Sequence, residues 1–194
     1  MINVVRHGRT LSNASGLLLG RADPALDDTG RGQAGRLAAA VGSVDRIISS
    51  PLLRTRQTAE AIAEVAGVAV EIDDRFIELD YGEWDQRPLG DISVEQWAAW
   101  RADVDFAPPG GESLATLGRR VRSALDELAA DPPERTVVVV THVSPIKAAV
   151  AWAVGGDDDM SWRMFVAPAT ITRIATIRGT PSLHGFNDGA HLLG

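Results

Sequence analysis

Short apolar runs alternate with longer stretches in which apolar residues return every three or four positions. The runs are Ile2–Val5, Arg46–Ser49, Val68–Ile72 and Thr136–Val140, each too short for a helix and bounded by polar or turn-forming residues. Ile2–Val5 is followed by a polar, Gly-rich loop through Asp28. Thr29 can cap a helix to about Val41, with Leu37, Ala38 and Val41 on its inner stripe. Ser50-Pro51 opens a second helix that runs to about Ala66 and stops at Gly67, proline being favoured in a first turn. Ser93–Arg101 reads as a helix with Trp97 and Trp100 on neighbouring faces. Pro108-Pro109-Gly110-Gly111 then breaks the chain, and Ser113 opens a long amphipathic helix through Leu114, Leu117, Val121, Leu125 and Leu128. Pro145–Val154 is a further helix, and Ala169–Ile177 and Leu183–Phe186 read as closing strands.

Alternating strands and helices predict an α/β fold, a three-layer sandwich whose mostly parallel central sheet carries helices on both faces. The nearly pure valine run at 136–140 fits a central strand covered on both sides. No repeat, charge block or low-complexity linker divides the chain, so residues 1–194 read as one domain. In such sheets ligands bind outside the carboxyl ends of the strands. Arg6-His7 directly follows the first strand and Thr141-His142 directly follows the valine strand, which brings both histidines to that edge.

Composition narrows the chemistry. A net charge of −7 argues against nucleic acid or an anionic membrane surface as partner, although a few arginines can reverse the potential inside one pocket. The absence of cysteine removes disulfides, thiolate metal sites and cysteine nucleophiles. The first apolar run is too short for a secretory signal and Ala148–Val154 is too short to span a bilayer, so a cytoplasmic location is expected.

The residues at the sheet edge point to phosphate. Arg6 and Arg9 flank His7, Gly8 allows a tight turn or close backbone approach, and Thr10 and Asn13 add donors. Like charge favours the neutral, nucleophilic imidazole, and arginine forks match phosphate oxygens. His142 precedes Val143-Ser144-Pro145, where a helix begins and backbone N–H groups can meet an anion. Arg54 lies just inside a helix that follows a strand and can point to the same edge, whereas Arg56 reads as a solvated charge. Glu78 sits in a loop with apolar neighbours, a setting suited to a general acid, with Asp80 its local competitor. Asp157-Asp158-Asp159 reads as a solvated turn, and no tight His/Asp/Glu spacing suggests a metal cage.

Together these segments resemble the histidine phosphatase superfamily, the phosphoglycerate mutase-like family, over nearly the whole chain. The likeness rests on Arg6-His7-Gly8, Ser49-Ser50-Pro51-Leu52-Leu53-Arg54, the stretch Phe76–Trp84 containing Glu78, and Val139-Val140-Thr141-His142. The His142–Lys147 segment, and Pro108–Ser113, resemble the branch of α-ribazole phosphatases and broad acid phosphatases. Val143 stands where the family commonly has glycine. The resemblance implies metal-independent phosphomonoester hydrolysis through a phosphohistidine on His7. Arg6, Arg54 and His142 would hold the non-bridging oxygens, Asn13 and more weakly Thr10 would add hydrogen bonds, Val143 would border the phosphate, and Glu78 would serve as acid and base. No cofactor or metal is implied. The expected partner is a small phosphorylated metabolite or inorganic phosphate, and a homodimer is left open. The alternatives are cofactor-dependent mutase-type phosphoryl transfer, disfavoured by the short stretch between Glu78 and His142, and a non-catalytic phosphate-binding protein on the same fold. The loops Gly16–Asp23 and Asp85–Ser93 are the expected selectors of the alcohol part of a substrate.

Overall fold

The computed structural model describes residues 1–130 and 134–193. In chain order its strands are β1 (Ile2–Arg6), β2 (Arg46–Ser49), β3 (Val70–Ile72), β4 (Val137–Thr141), β5 (Ile171–Ile177) and β6 (Thr180–Asp188). Its longer helices are α1 (Leu11–Ala14), α2 (Asp28–Ala40), α3 (Leu53–Ala66), α4 (Val94–Ala102), α5 (Leu114–Ala129) and α6 (Val143–Val154). One six-stranded sheet runs in the order β3-β2-β4-β1-β5-β6. Neighbours from β3 to β1 are parallel, and β5 is antiparallel to both β1 and its hairpin partner β6.

The valine strand divides the core. Val137 and Val139 pack with Leu117, Val121 and Leu125 of α5 and Ile146 and Ala149 of α6. Val138 and Val140 point the other way, onto Leu37 and Ala38 of α2 and Ala59 and Ile62 of α3. This alternation gives each face of the sheet its own helical layer. It also places the ends of β1 and β4 side by side, with Arg6 opposite Thr141.

Several element boundaries differ from the sequence expectation, each for a local reason. Asp27, not Thr29, caps α2, its carboxylate accepting from the Gly30 amide at 2.7 Å. The Thr29 hydroxyl instead accepts from Arg9. Helix α3 starts at Leu53, so Ser50-Pro51 forms the approach to it rather than its first turn. Helix α6 begins at Val143, two residues before Pro145. The third strand starts at Val70 and β6 extends well beyond Leu183–Phe186 at both ends. Two residues with positive φ, Arg178 (52°) and Gly179 (78°), give β5–β6 the tight turn that matches strand twist. Asp158 is not a solvated turn residue: it forms a paired contact with Arg122 at 2.6 and 3.0 Å.

Candidate active site

His7 leaves β1 and His142 leaves β4 as neighbours, their ring centroids 5.2 Å apart and inclined at 61°. Both are buried. The Nδ1 atom of His7 lies 2.7 Å from the Gly8 carbonyl oxygen. A carbonyl only accepts, so Nδ1 carries the proton and Nε2 keeps its lone pair. Glycine at position 8 has a steric cause: a Cβ there would lie 2.4 Å from the Gly30 carbonyl oxygen. Arg9 turns away from this centre and pairs with Asp27 at 2.8 Å.

His142 is held from the other side. Its Nε2 meets the Ser50 hydroxyl at 2.8 Å, and that oxygen already accepts from the Leu52 amide. The Ser50 hydroxyl has no other acceptor among the described residues, so donating to Nε2 uses its proton and puts the proton of His142 on Nδ1, which is buried without a partner. Arg54 is fully buried and anchored through both terminal nitrogens, to the Gly20 and Ala22 carbonyls at 2.7 Å each. The same loop is pinned by Asp85, which accepts from the Gly20 and Ala22 amides. Arg6 donates to the Val166 carbonyl at 2.6 Å. The Nε atoms of both arginines are buried and unpaired. Buried donors without partners are rare and costly, by about 1–3 kcal/mol each. Arg6 Nε, Arg54 Nε and His142 Nδ1 thus form a set of donors that an anion would satisfy.

Glu78 enters from the turn after β3. Its carboxylate accepts from the Leu79 amide at 2.8 Å and, at the start of α6, from the Val143 and Ser144 amides at 3.1 and 3.2 Å. Arg120 fixes the backbone of this turn, donating to the carbonyls of Arg75, Ile77 and Glu78 while its other edge pairs with Glu112.

The electrostatics follow from burial and from these cations. Burial, then Arg54 and Arg6, push the His7 pKa well below its usual value against a smaller opposing effect of the Gly8 bond, so the ring is neutral. His142 is lowered well below its usual value by burial, Arg54, His7 and Arg6. Burial brings Arg6 down to about 10, with Glu78 opposing.

A cavity of about 300 Å³ opens onto Arg6, His7, Asn13 and Glu78 and is walled by leucines and tryptophans. The match to a family model settles the relationship: the histidine phosphatase superfamily (branch 1) is matched over residues 2–189. This chain is a member of the histidine phosphatase superfamily.

Similar histidine phosphatases and relatives include phosphoserine phosphatase 1 of Hydrogenobacter thermophilus, 35% identical over 167 residues that cover 82% of this chain and 78% of that protein. A probable phosphoglycerate mutase of Erwinia tasmaniensis is 33% identical, covering 89% of this chain and 83% of its own. Among solved structures, mycobacterial glucosyl-3-phosphoglycerate phosphatase with VO3 superimposes with a TM-score of 0.88 at 29% identity, covering 97% and 99% of the two chains. Structural neighbours also include α-ribazole phosphatases. The first curated relatives are longer: this chain spans 48% of a bifunctional protein of Mycobacterium tuberculosis, at 31% identity.

In this chain Arg6, His7, Asn13, Glu78 and Val143 line the cavity, while Arg54 and His142 are fully buried and do not line it. Thr10 does not line it. Fully buried, Thr10 caps α1, its hydroxyl and amide engaged with Asn13. The Asn13 carbonyl oxygen is committed to that cap, so its amide group is what remains for the cavity. Asp80 is occupied by the Gly82 amide. Arg56 is exposed, as its sequence setting suggests. Leu17, Leu18 and Leu19 from one expected specificity loop, and Leu89 from the other, do reach the cavity. Sequence reasoning missed Ser50, Asp85, Arg120 and Lys147. Lys147 lies one helical turn beyond Val143 on α6, a spacing that places it on the same face and was there to be used.

Proposed function

We propose that this chain hydrolyses small phosphomonoesters through a phosphohistidine on His7, without metal, as a cytoplasmic enzyme of one domain. The observation that carries the proposal is the His7–Gly8 bond, which leaves the Nε2 lone pair free on a ring that feels the charges of Arg54 and Arg6, whose Nε donors are unpaired. In this reading Nε2 attacks phosphorus as the bond to the alcohol oxygen breaks, and the protonated Glu78 carboxyl gives that oxygen its proton. The Glu78 carboxylate then takes a proton from water, whose oxygen attacks phosphorus while the P–N bond breaks. Inorganic phosphate leaves and His7 is restored. Arg6, Arg54 and His142 bear the charge on the non-bridging oxygens, the main task in phosphoryl transfer, with Asn13 adding a hydrogen bond and Val143 bordering the phosphate.

Relatives named for phosphoserine and glucosyl-3-phosphoglycerate support a small phosphorylated metabolite as substrate. Mutase-type transfer is the second reading, supported by the phosphoglycerate mutase relatives. Against it, the described residues between Glu78 and His142 are mostly taken up by α4, α5 and short turns. A purely phosphate-binding role leaves the presence of both His7 and Glu78 without a purpose. The test is hydrolysis of p-nitrophenyl phosphate in EDTA, expected to proceed and to vanish in His7→Ala. Full activity in that variant, or complete dependence on added metal, contradicts the proposal.

A further inference from the structure

The cavity continues past the phosphate end into a small recess of about 60 Å³, and the two share Tyr81, Trp100, Val143, Lys147 and Trp162. The polar groups in this recess are lopsided. Lys147 is half-buried and, among the described residues, has no hydrogen-bond or ion-pair partner. Trp100 and Trp162 wall the recess, and their indole N–H groups are buried with no hydrogen-bond partner among the described residues. Ser144 shares a 3.3 Å contact with the Tyr81 hydroxyl. No aspartate or glutamate lines the recess. The one carboxylate on the larger cavity, Glu78, is already taken up by three backbone amides.

The rings are fixed. Trp97 stacks on Trp100 at 5.4 Å and 17°, Trp162 stands edge-on to Trp100 at 4.9 Å, and the Arg101 guanidinium lies over Trp97 and Trp162 at 5.6 and 5.7 Å. The aromatic wall therefore carries an ammonium and two unpaired N–H donors, with no carboxylate in the recess itself and the nearby Glu78 engaged by backbone amides. Such an end is complementary to a compact group with anionic oxygen acceptors on an otherwise apolar body.

We propose that Lys147, with the Trp162 and Trp100 N–H groups, forms a subsite for a carboxylate on the alcohol part of the phosphomonoester. This rests on the phosphatase reading, and extends it by naming the substrate class: phosphate at His7, carboxylate at Lys147, and an apolar or ring-bearing linker between them. Lys147 and Trp162 are then specificity determinants. Burial lowers the Lys147 pKa while the nearby Glu78 raises it, so a bound carboxylate would also restore the favoured charged state.

The test uses substrate pairs that differ only in the carboxylate: 4-carboxybenzyl phosphate against benzyl phosphate, and 3-(phosphonooxy)propanoate against propyl phosphate. The expected result is a kcat/KM preference of about tenfold or more for the carboxylate member of at least one pair, the scale of one charge-assisted hydrogen bond. The preference should collapse in Lys147→Met, persist in Lys147→Arg, and shrink in Trp162→Phe. The ratio within a pair cancels any general loss of activity or folded protein. Binding of the same pairs to His7→Ala, followed by tryptophan fluorescence, reads the subsite whether or not hydrolysis occurs. Inactivity towards every ester with carboxylate-selective binding intact would sink the phosphatase reading alone. Absence of preference in both assays, a preference unmoved by Lys147→Met, or stronger binding of propane-1,3-diyl bisphosphate than of either carboxylate would overturn the carboxylate subsite.

Discussion

Replacing Arg120 by methionine keeps much of the apolar stem and removes a guanidinium that serves two tasks. It pairs with Glu112 through two nitrogens at 2.8 Å each, and it donates to the carbonyls of Arg75 and Ile77 at 2.7 Å and of Glu78 at 3.2 Å. Arg120 and Glu112 side chains are only 18% and 12% exposed, so solvent replaces these bonds poorly. Breaking a buried pair from one side typically costs about 3–5 kcal/mol. Glu112 retains a long contact to Arg21 at 3.5 Å, which places the expected loss near the lower end, about 3 kcal/mol. Glu112→Gln, which can still accept, should cost about 1 kcal/mol. Urea unfolding of the single and double variants gives the coupling between the two residues, expected at about 1–2 kcal/mol with unchanged m. Because the same guanidinium holds the turn that aims Glu78, Arg120→Met should also lower kcat on esters with poor leaving groups more than on p-nitrophenyl phosphate. A stability loss below about 1 kcal/mol would refute the view that this turn is clamped by Arg120.

Further expectations follow from the same geometry. Both buried histidines have pKa values pushed well below the unfolded value near 6.5, so the unfolded chain binds more protons beneath that pH. Their contribution to stability is full above about pH 6.5 and lost as pH falls toward the depressed values; His142→Asn should reduce the slope of urea midpoint against pH by about one proton between pH 5 and 6.5, and an unchanged slope would contradict the burial account. Glu78→Gln should slow alkyl phosphates far more than p-nitrophenyl phosphate, and equal losses would move the acid role elsewhere, Asp80 first. Gly30→Ala would bring a Cβ within 2.0 Å of the Arg9 carbonyl oxygen, so thermal unfolding should reveal a loss of about 2 kcal/mol or more; wild-type stability would show that the loop yields without strain.

Much of this is legible in the sequence because the fold's driving pattern is local. Valines on alternate faces of β4, the leucine stripe of α5 and the Ser93 and Ser113 caps are written within short windows. His7 and His142 reached the same edge by topology alone, since a residue directly after a parallel strand can lie nowhere else. What escaped depends on tertiary partners. Thr29 and Asp27 are equally good caps in sequence, and only the arrival of Arg9 assigns the hydroxyl to an ion-pair network. Asp158 read as solvated because Arg122 lies on a helix 36 residues earlier. Thr10 looked like a phosphate donor, yet its cap with Asn13 consumes the hydroxyl. The clamp by Arg120 joins three carbonyls far upstream, which no spacing rule reports.

The most direct test of the central claim is rapid acid-free quenching of the wild-type protein during turnover of p-nitrophenyl phosphate, followed by peptide mass spectrometry. The account predicts one phosphoryl group on the peptide containing His7, stable in alkali, labile in acid, and enriched in Glu78→Gln if breakdown of the intermediate is slowed. Turnover with phosphate on another residue, or with none on His7 at any time point despite a p-nitrophenolate burst, would contradict it.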